Sequence, residues 1–507
     1  MHLNSNPTTR VRTRFAPSPT GQLHIGGART ALFSYLFAQQ HSGDLILRIE
    51  DTDRSRYVAG AESEIEEGMA WLGIRFTESP LLGGAHGPYR QSERRELYQP
   101  FIDELLKRQA AYWCFCTPET LQHMREDQQA HKLAQKYDGR CRSIPIQESE
   151  QRRGSGEASV LRLKFPTSGS LVVHDLIRGD ITFNFKDLDD QVLLKSDNFP
   201  TYHLASVLDD YLMKITHVIR GEEWLPSTPK HVFLLRALDL PVPEFAHLPM
   251  VLNTKRQKMS KRSDGEYVWL STYRKEGYLP EAVVNFIALL GWNPKTTQEC
   301  FSMEDLIRVF DFGNVHKSAA VFDLKKLRSV NATYLRKLPS AELVNHALPF
   351  LIEKKLLIGD GPSWKLPTGQ QMSKEKLSEV MQLEVQRLER LCDVGESTQF
   401  FFVEDVPLDV TKILWKQATP EATIAALQWS RDFLETVPEP WNAEALQTAS
   451  IAEIQSAQKT NGEVLFPLRY AITGQQYSPT PFECLSLLGK SRSFARIDRA
   501  ISALSQT

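Results

Sequence analysis

The chain has 507 residues, with 60 Lys+Arg against 62 Asp+Glu, a formal net charge of −2, and 41% hydrophobic and 24% charged residues. This length exceeds what one core serves and predicts about three or four domains of an ordinary globular protein. The charge balance excludes a chain that is basic throughout, although a local basic face suffices to bind nucleic acid.

The opening residues hold no apolar stretch of the kind a secretory leader needs. The longest apolar run, around "VVNFIALLGW", is too short to span a bilayer. Six cysteines in so long a chain do not make a disulfide scaffold. A cytoplasmic protein without a membrane partner is expected.

In chain order, "RVRTRFA" reads as a short strand. "GARTALFSYLFAQQ" spaces Ala28, Ala31, Leu32, Tyr35 and Leu36 as one face of a helix. "DLILRIED" is apolar until its charged end, as a buried parallel strand should be. Together they make a βαβ unit. The glycine-rich turn "PSPTGQLHIGG" then falls at a strand's carboxyl end and a helix N-terminus, where open α/β sheets bind ligands. From about Tyr112 the pattern changes. "ASVLRLKFP", "SLVVHDLIRGDITFNF" and "DQVLLK" read as antiparallel strands of an insertion. Signals like those of the first domain resume at "FPTYHLASVLDDYLMKITHVIRGEEW". After "KMSKR" the chain turns mostly helical, through "PEAVVNFIALLGW", "AELVNHALPFLIEKKLL" and "VMQLEVQRLERL". "IGDGPSWKLPTGQQ", near Gly359, reads as a surface loop or boundary.

Two motifs carry chemistry. A helix N-terminus presents unpaired N–H groups and partial positive charge, and glycines let a phosphate come close. His24 adds a side-chain donor beside them. Far downstream, Lys255, Arg256, Lys258, Lys261 and Arg262 crowd one short segment. Alone, the first would be a glycine-rich turn and the second a solvated basic loop. Together they suit a nucleotidyl transfer, in which charge develops on a departing pyrophosphate and cations stabilise it.

"HIGG" with "KMSKR" resembles the paired signatures of class I aminoacyl-tRNA synthetases. "RFAPSPTGQLHIGGARTALF", "LRIEDTD", "FPTYHLASVLDD", "HVIRGEEW" and "KMSKR", in that order, resemble the bacterial-type glutamyl-tRNA synthetases. The likeness runs strongly from about Thr13 to Asp311 and more weakly to "EVLFPLRYAITG". It implies an α/β fold: a Rossmann-like catalytic domain in two halves, residues 9–110 and 199–250, with an α+β acceptor-binding insertion, residues 111–198. A connecting domain with the KMSKR loop (251–335) and a helical anticodon-binding region (336–507) would follow.

The resemblance also implies roles. His24, with the amides of Gly26 and Gly27, would hold ATP; Lys261 would meet its phosphates, with Lys258 in support. Arg14, Ala16, Ser18, Glu50, Tyr202 and Arg220 match positions that bind glutamate or its adenylate. Guanidinium groups grip carboxylates bidentately, and glutamate carries two. Glu50 suits the α-ammonium. Without the motifs, Arg14 and Glu50 would read as a strand-end ion pair and Tyr202 as core. Ser206 stands where many relatives have Asn.

Cys114 and Cys116, with Cys141 downstream, suit tetrahedral zinc. Three reduced structural cysteines are the alternative. Some members of the family bind zinc here through C-x-C and C-x-H, but Ser143 replaces that histidine. A related shorter enzyme uses Y-x-x-x-C, which makes Tyr137 the fourth ligand, ahead of His123 and His131.

The implied activity is glutamate–tRNA ligation. Glutamate is activated by ATP with Mg²⁺, a step that in the family normally waits for tRNA, and passed to the 3′ end of tRNA(Glu), by a monomer. One alternative is an enzyme that also glutamylates tRNA(Gln); another is a catalytically silent tRNA-binding paralogue. The ~170 residues after Leu335 argue against a tRNA-base-modifying relative that lacks them.

Overall fold

The protein is described by a computed structural model covering residues 10–359 and 364–506. The chain divides into two compact units. One runs to Arg274 and includes Pro280–Leu324; the other combines Lys275–Leu279 with the chain from Lys325 onward. The division falls at the start of the helix Leu324–Lys337.

In the first unit the strand Arg12–Phe15 pairs in parallel with Asp44–Leu47, and the helix Ile25–Gln40 connects them. Leu45, Ile46 and Leu47 are fully buried, as befits a strand covered on both faces. Thr216 N–H donates to Arg12 O at 2.9 Å, which brings this pair beside a four-stranded sheet. There His217–Gly221 and Glu244–Leu248 run parallel, and the helix Thr228–Ala237 lies between them in sequence.

The segment 111–198 supplies two separate sets of strands. Ala111–Cys114, Val160–Leu163 and Val192–Leu194 form an antiparallel sheet of their own. The hairpin of Ser170–Asp175 and Gly179–Asn184 instead supplies the other two strands of the four-stranded sheet, where Asp175 pairs in parallel with Phe245. Its inward residues Leu171 and Val173 share a core with Ile46, Val218 and Phe245. A boundary drawn by sequence position at residue 198 therefore places with the insertion a hairpin that packs on the strands around Arg220.

The second unit is helical, with Ser340–Glu353, Lys374–Glu384, Pro420–Thr436, Ala443–Ser456, Asn461–Thr473, Pro481–Leu488 and Lys490–Leu504. Thr460 with Glu463, and Thr480 with Glu483, close capping boxes. Two local expectations change. The loop expected near Gly359 contains a short hairpin, Trp364–Lys365 with Gln371–Met372; its residues 360–363 lie outside the described residues. The helix expected over "VMQLEVQRLERL" stops at Glu384. Beyond it, Arg390 is extended and its guanidinium is drawn to Glu276 at 2.6 Å and Asp393 at 2.6 Å.

Glu384 is itself buried. Ser397 Oγ donates to it at 2.8 Å, and Thr398 Oγ1 also donates. Burial nevertheless pushes its carboxyl up to about 7. A carboxyl that binds its proton more tightly folded than unfolded contributes stability that is full below pH ~4.5 and is lost as pH rises through 7. Glu384→Gln should therefore flatten the stability of the helical unit across that window, where wild type loses on the order of 3 kcal/mol. Urea melts of both proteins at several pH values check this. Parallel pH profiles would contradict the assignment.

Candidate active site

The strand Arg12–Phe15 ends in the segment that leads to His24. There the backbone is extended, His24 O accepts from Ala28 N–H at 3.0 Å, and the helix begins. His24 is the N-cap, and its Nδ1 accepts from Gly26 N–H at 2.9 Å. That fixes the remaining proton of the neutral ring on Nε2. Burial holds the imidazole below its usual pKa; a backbone hydrogen bond at Met259 opposes this shift and the Lys258 charge adds to it. Any phosphate must compete with His24 for the Gly26 amide. A side chain at Gly26 would meet His24 Nδ1 at 3.2 Å, so the glycine leaves room for the ring.

The two motifs meet in space. Leu270 N–H donates to Leu23 O at 2.9 Å, and His24 bridges to Trp269, the two rings edge to face at 6.0 Å. The KMSKR loop turns on Asn253, whose Oδ1 accepts from the N–H groups of Lys255 and Gln257 at 3.0 Å each. Met259 is buried and anchors the loop. Ser260 caps the short helix Lys261–Asp264. Lys258 and Lys261 are exposed, and Lys261 Nζ lies 3.3 Å from Glu266.

A cavity of about 700 Å³ opens beside this junction. Of the residues singled out by sequence, Arg14, Ala16, Ser18, Gly27, Glu50, Tyr202 and Arg220 line it. His24, Gly26, Lys258 and Lys261 are not among its lining residues. Sequence reasoning missed Lys195, Trp224 and Asp53 on its wall. It also missed the charged group behind that wall, Arg48.

Arg48 is fully buried in the strand-end "LRIED". It donates to Asp210 Oδ1 at 2.7 Å, Glu50 Oε1 at 3.0 Å and Ser206 Oγ at 3.2 Å. Asp210 Oδ1 also accepts from Arg14 Nε at 3.1 Å. The expected alternative, an Arg14–Glu50 ion pair, is thus not what forms; each is paired through Arg48 and Asp210. Burial raises the Glu50 pKa, with the Arg48 and Arg14 charges opposing it. At Asp210 burial also raises the pKa, but Arg14 and Arg48 prevail and hold it low. Ser206 has a clear job here, supporting Arg48. The only sequence signal for Arg48 was its place at the charged end of an apolar strand.

Arg220, also buried, is held differently. It donates to His247 Nε2 at 3.0 Å, Tyr202 OH at 3.2 Å, His231 Nδ1 at 3.2 Å, Thr228 Oγ1 at 2.9 Å and Trp224 O at 3.4 Å. All five guanidinium N–H donors thus meet neutral groups. Among the described residues no carboxylate lies within ion-pair distance of it. Burial lowers its pKa.

In the insertion, the sulfurs of Cys114, Cys116 and Cys141 lie within 4.8 Å of one another. Tyr137 OH is 3.4 Å from Cys114 Sγ and 3.8 Å from Cys116 Sγ. Burial and the neighbouring Cys114 push the Cys116 thiol up to about 12. Ser143 is exposed. His123 and His131 lie on the exposed face of the helix Pro118–Ala130 and at its cap, paired with Glu126 and Asp127.

This fold and site define the class. Residues 10–329 match the catalytic domain of the class I tRNA synthetases (E and Q), and residues 342–501 match an anticodon binding domain. The chain is 41% identical to a glutamate–tRNA ligase of Geobacillus stearothermophilus, over 97% of this chain and 98% of that one. It is 42% identical to one from Clostridioides difficile, covering 96% and 98%. A crystal structure of a glutamate tRNA ligase from Elizabethkingia meningosepticum, in complex with its amino acid, superposes with a TM-score of 0.88 at 36% identity, covering 98% of this chain and 100% of that one. The chain belongs to the glutamate–tRNA ligase family of aminoacyl-tRNA synthetases. No helix among the described residues is long and apolar enough to cross a membrane.

Removing Arg48 leaves Glu50 and Asp210 buried without their shared partner. Arg48→Leu should destabilise the first unit by about 3–5 kcal/mol, the usual cost of breaking a buried pair. Chemical denaturation measures it; an unchanged midpoint would mean the network is not formed.

Proposed function

We propose that this protein activates L-glutamate with MgATP to glutamyl-adenylate and transfers glutamate to the 3′ end of tRNA(Glu), acting as a cytoplasmic monomer. The observation that carries the reading is charge. Arg14, Arg48, Asp210 and Glu50 balance, whereas Arg220 brings one buried cation with no carboxylate in contact. Glutamate has net charge −1 and would neutralise the pocket. Glutamine, with net charge zero, would leave it positive.

The substrate's side-chain carboxylate would displace the longest Arg220 contacts, at Tyr202 and Trp224, both on the cavity wall. Glu50 would receive the α-ammonium. The α-carboxylate oxygen then attacks the α-phosphorus of ATP, and pyrophosphate leaves. His24 would donate from Nε2 to the phosphate oxygens. Lys258 and Lys261 would meet the leaving pyrophosphate as the loop closes, which is where negative charge builds up. In the second step a terminal ribose hydroxyl of the tRNA attacks the adenylate carbonyl and AMP leaves. The insertion (residues 111–198) would hold the acceptor end, and the region 336–507 would read the anticodon.

The cysteine cluster fits zinc. Tetrahedral bonds of about 2.3 Å put sulfurs about 3.8 Å apart, and Cys116 Sγ to Cys141 Sγ is 3.6 Å. Cys114, Cys116, Cys141 and Tyr137 would hold the ion, whose charge favours the thiolates and the phenolate. It would staple a polar segment with little core of its own.

Four outcomes test the reading. Lys261→Ala and His24→Ala should each raise the barrier to ATP–pyrophosphate exchange by about 2–4 kcal/mol, with glutamate affinity little changed; near-wild-type rates would sink the roles. Arg220→Leu should cost about 2–5 kcal/mol in kcat/KM for glutamate. Parallel charging of purified tRNA(Glu) and tRNA(Gln) separates a discriminating enzyme from one that serves both. Metal analysis should find about one zinc per chain, lost in Cys141→Ser; metal-free folded protein would leave three structural thiols.

A further inference from the structure

Three neighbouring strands carry Arg220, His247 and Asp175 side by side. Arg220 and His247 are register partners on the parallel strands His217–Gly221 and Glu244–Leu248. Asp175 ends the hairpin strand that joins this sheet at Phe245 alone. His247 is fully buried and Asp175 nearly so.

The hydrogen bonds of Arg220 and Asp175 place the ring protons; Thr228 Oγ1 also lies 3.1 Å from His247 Nε2. A guanidinium only donates. His247 Nε2, 3.0 Å from Arg220 Nε, must therefore present its lone pair. Its proton lies on Nδ1, 2.6 Å from Asp175 Oδ2. The same oxygen accepts His247 N–H at 3.0 Å. Asp175 Oδ1 accepts the turn amides of Ile177 and Arg178 at 3.0 and 2.9 Å. The carboxylate is thus an acceptor on both sides and stays ionised. At His247 burial lowers the pKa and the Asp175 bond opposes it. On the other flank, His231 Nδ1 accepts from Arg220, so its Nε2 donates to His203 Nδ1 at 3.0 Å. Burial takes His231 well below its usual pKa and His203 down to about 4.

Both imidazoles beside Arg220 are consequently neutral acceptors. The carboxylate behind His247, Asp175, is one ring away. A carboxylate at position 247 would orient Arg220 equally well but would cancel its charge.

We propose that Asp175 and His247 are positioning residues that lock Arg220 in place through a neutral imidazole, and so set the preference for a substrate bearing a side-chain carboxylate. This rests on the functional reading above. Neither residue touches substrate. Asp175 acts by choosing the tautomer of His247, and His247 acts by aiming the guanidinium while leaving its charge unmatched.

Asp175→Asn separates geometry from charge. With Oδ1 kept on the turn amides, its NH₂ faces His247, the ring must accept there, and a proton moves to Nε2 against Arg220 Nε–H. Two donors then oppose each other. The KM for glutamate in ATP–pyrophosphate exchange should rise about tenfold or more, with the KM for ATP unchanged. His247→Gln can accept from Arg220 and donate to Asp175, whereas His247→Leu matches the bulk but cannot. A positioning role predicts that Gln keeps the glutamate KM within a few-fold of wild type and Leu does not. Equal behaviour of Gln and Leu, or an unchanged KM in folded Asp175→Asn, overturns the proposal. Should the variants fail to fold, imidazole ¹⁵N NMR of wild type decides: His247 protonated on Nδ1 alone supports it, and a proton on Nε2 refutes it. Wild type without glutamate-dependent exchange, with tRNA(Glu) present, would sink the functional reading. Active wild type with indifferent variants sinks only the positioning role.

Discussion

A cation removed from water and surrounded by neutral groups is costly unless every hydrogen bond is made, and Arg220 is such a cation. Its five partners come from the helix Tyr202–Leu212, the turn at Trp224, the helix Thr228–Ala237 and the strand Glu244–Leu248. Those elements must be in register for the guanidinium to be tolerated at all. The same strands carry the hairpin that brings Asp175 behind His247. The pocket and the sheet are in this sense one structure. The charge left over at Arg220 is what a ligand carboxylate can use.

The second half of the pocket works by the opposite rule. Arg14, Arg48, Asp210 and Glu50 are also buried, but their charges cancel. Such a network tolerates burial because each ion has an opposite ion within hydrogen-bonding reach. It makes a stiff floor on the strand ends next to the glycine-rich turn. The side of the glycine-rich turn is built differently. His24 caps its own helix, while the KMSKR lysines stand in solvent on a loop pinned by Met259 and Asn253.

Much of this was legible in the residues. The strand–turn–helix around His24 follows from local periodicity and glycine placement, and the structure has it. The predicted pocket residues on either side of the insertion do line one cavity. The convergence of Cys114, Cys116, Cys141 and Tyr137 was visible from cysteine spacing and the family likeness. What stayed hidden depends on long-range pairing. Arg48 looked like the charged end of a strand, yet it bonds to residues some 160 positions away. Asp175 and His247 carry no local signature, because their meaning lies in parallel strand register, which hydrophobic patterning does not encode. The helix end at Glu384 was missed for the same reason: its hydroxyl partners come from a later loop.

The central claim is that the pocket holds an unmatched buried positive charge that only a carboxylate side chain satisfies. Calorimetric titration of the wild-type protein with L-glutamate and with its near-isostere L-glutamine, in the same buffer, tests it most directly. The account predicts that glutamate binds at least about tenfold tighter, a difference of about 1.4 kcal/mol or more. Equal affinities, or tighter binding of glutamine, would contradict it.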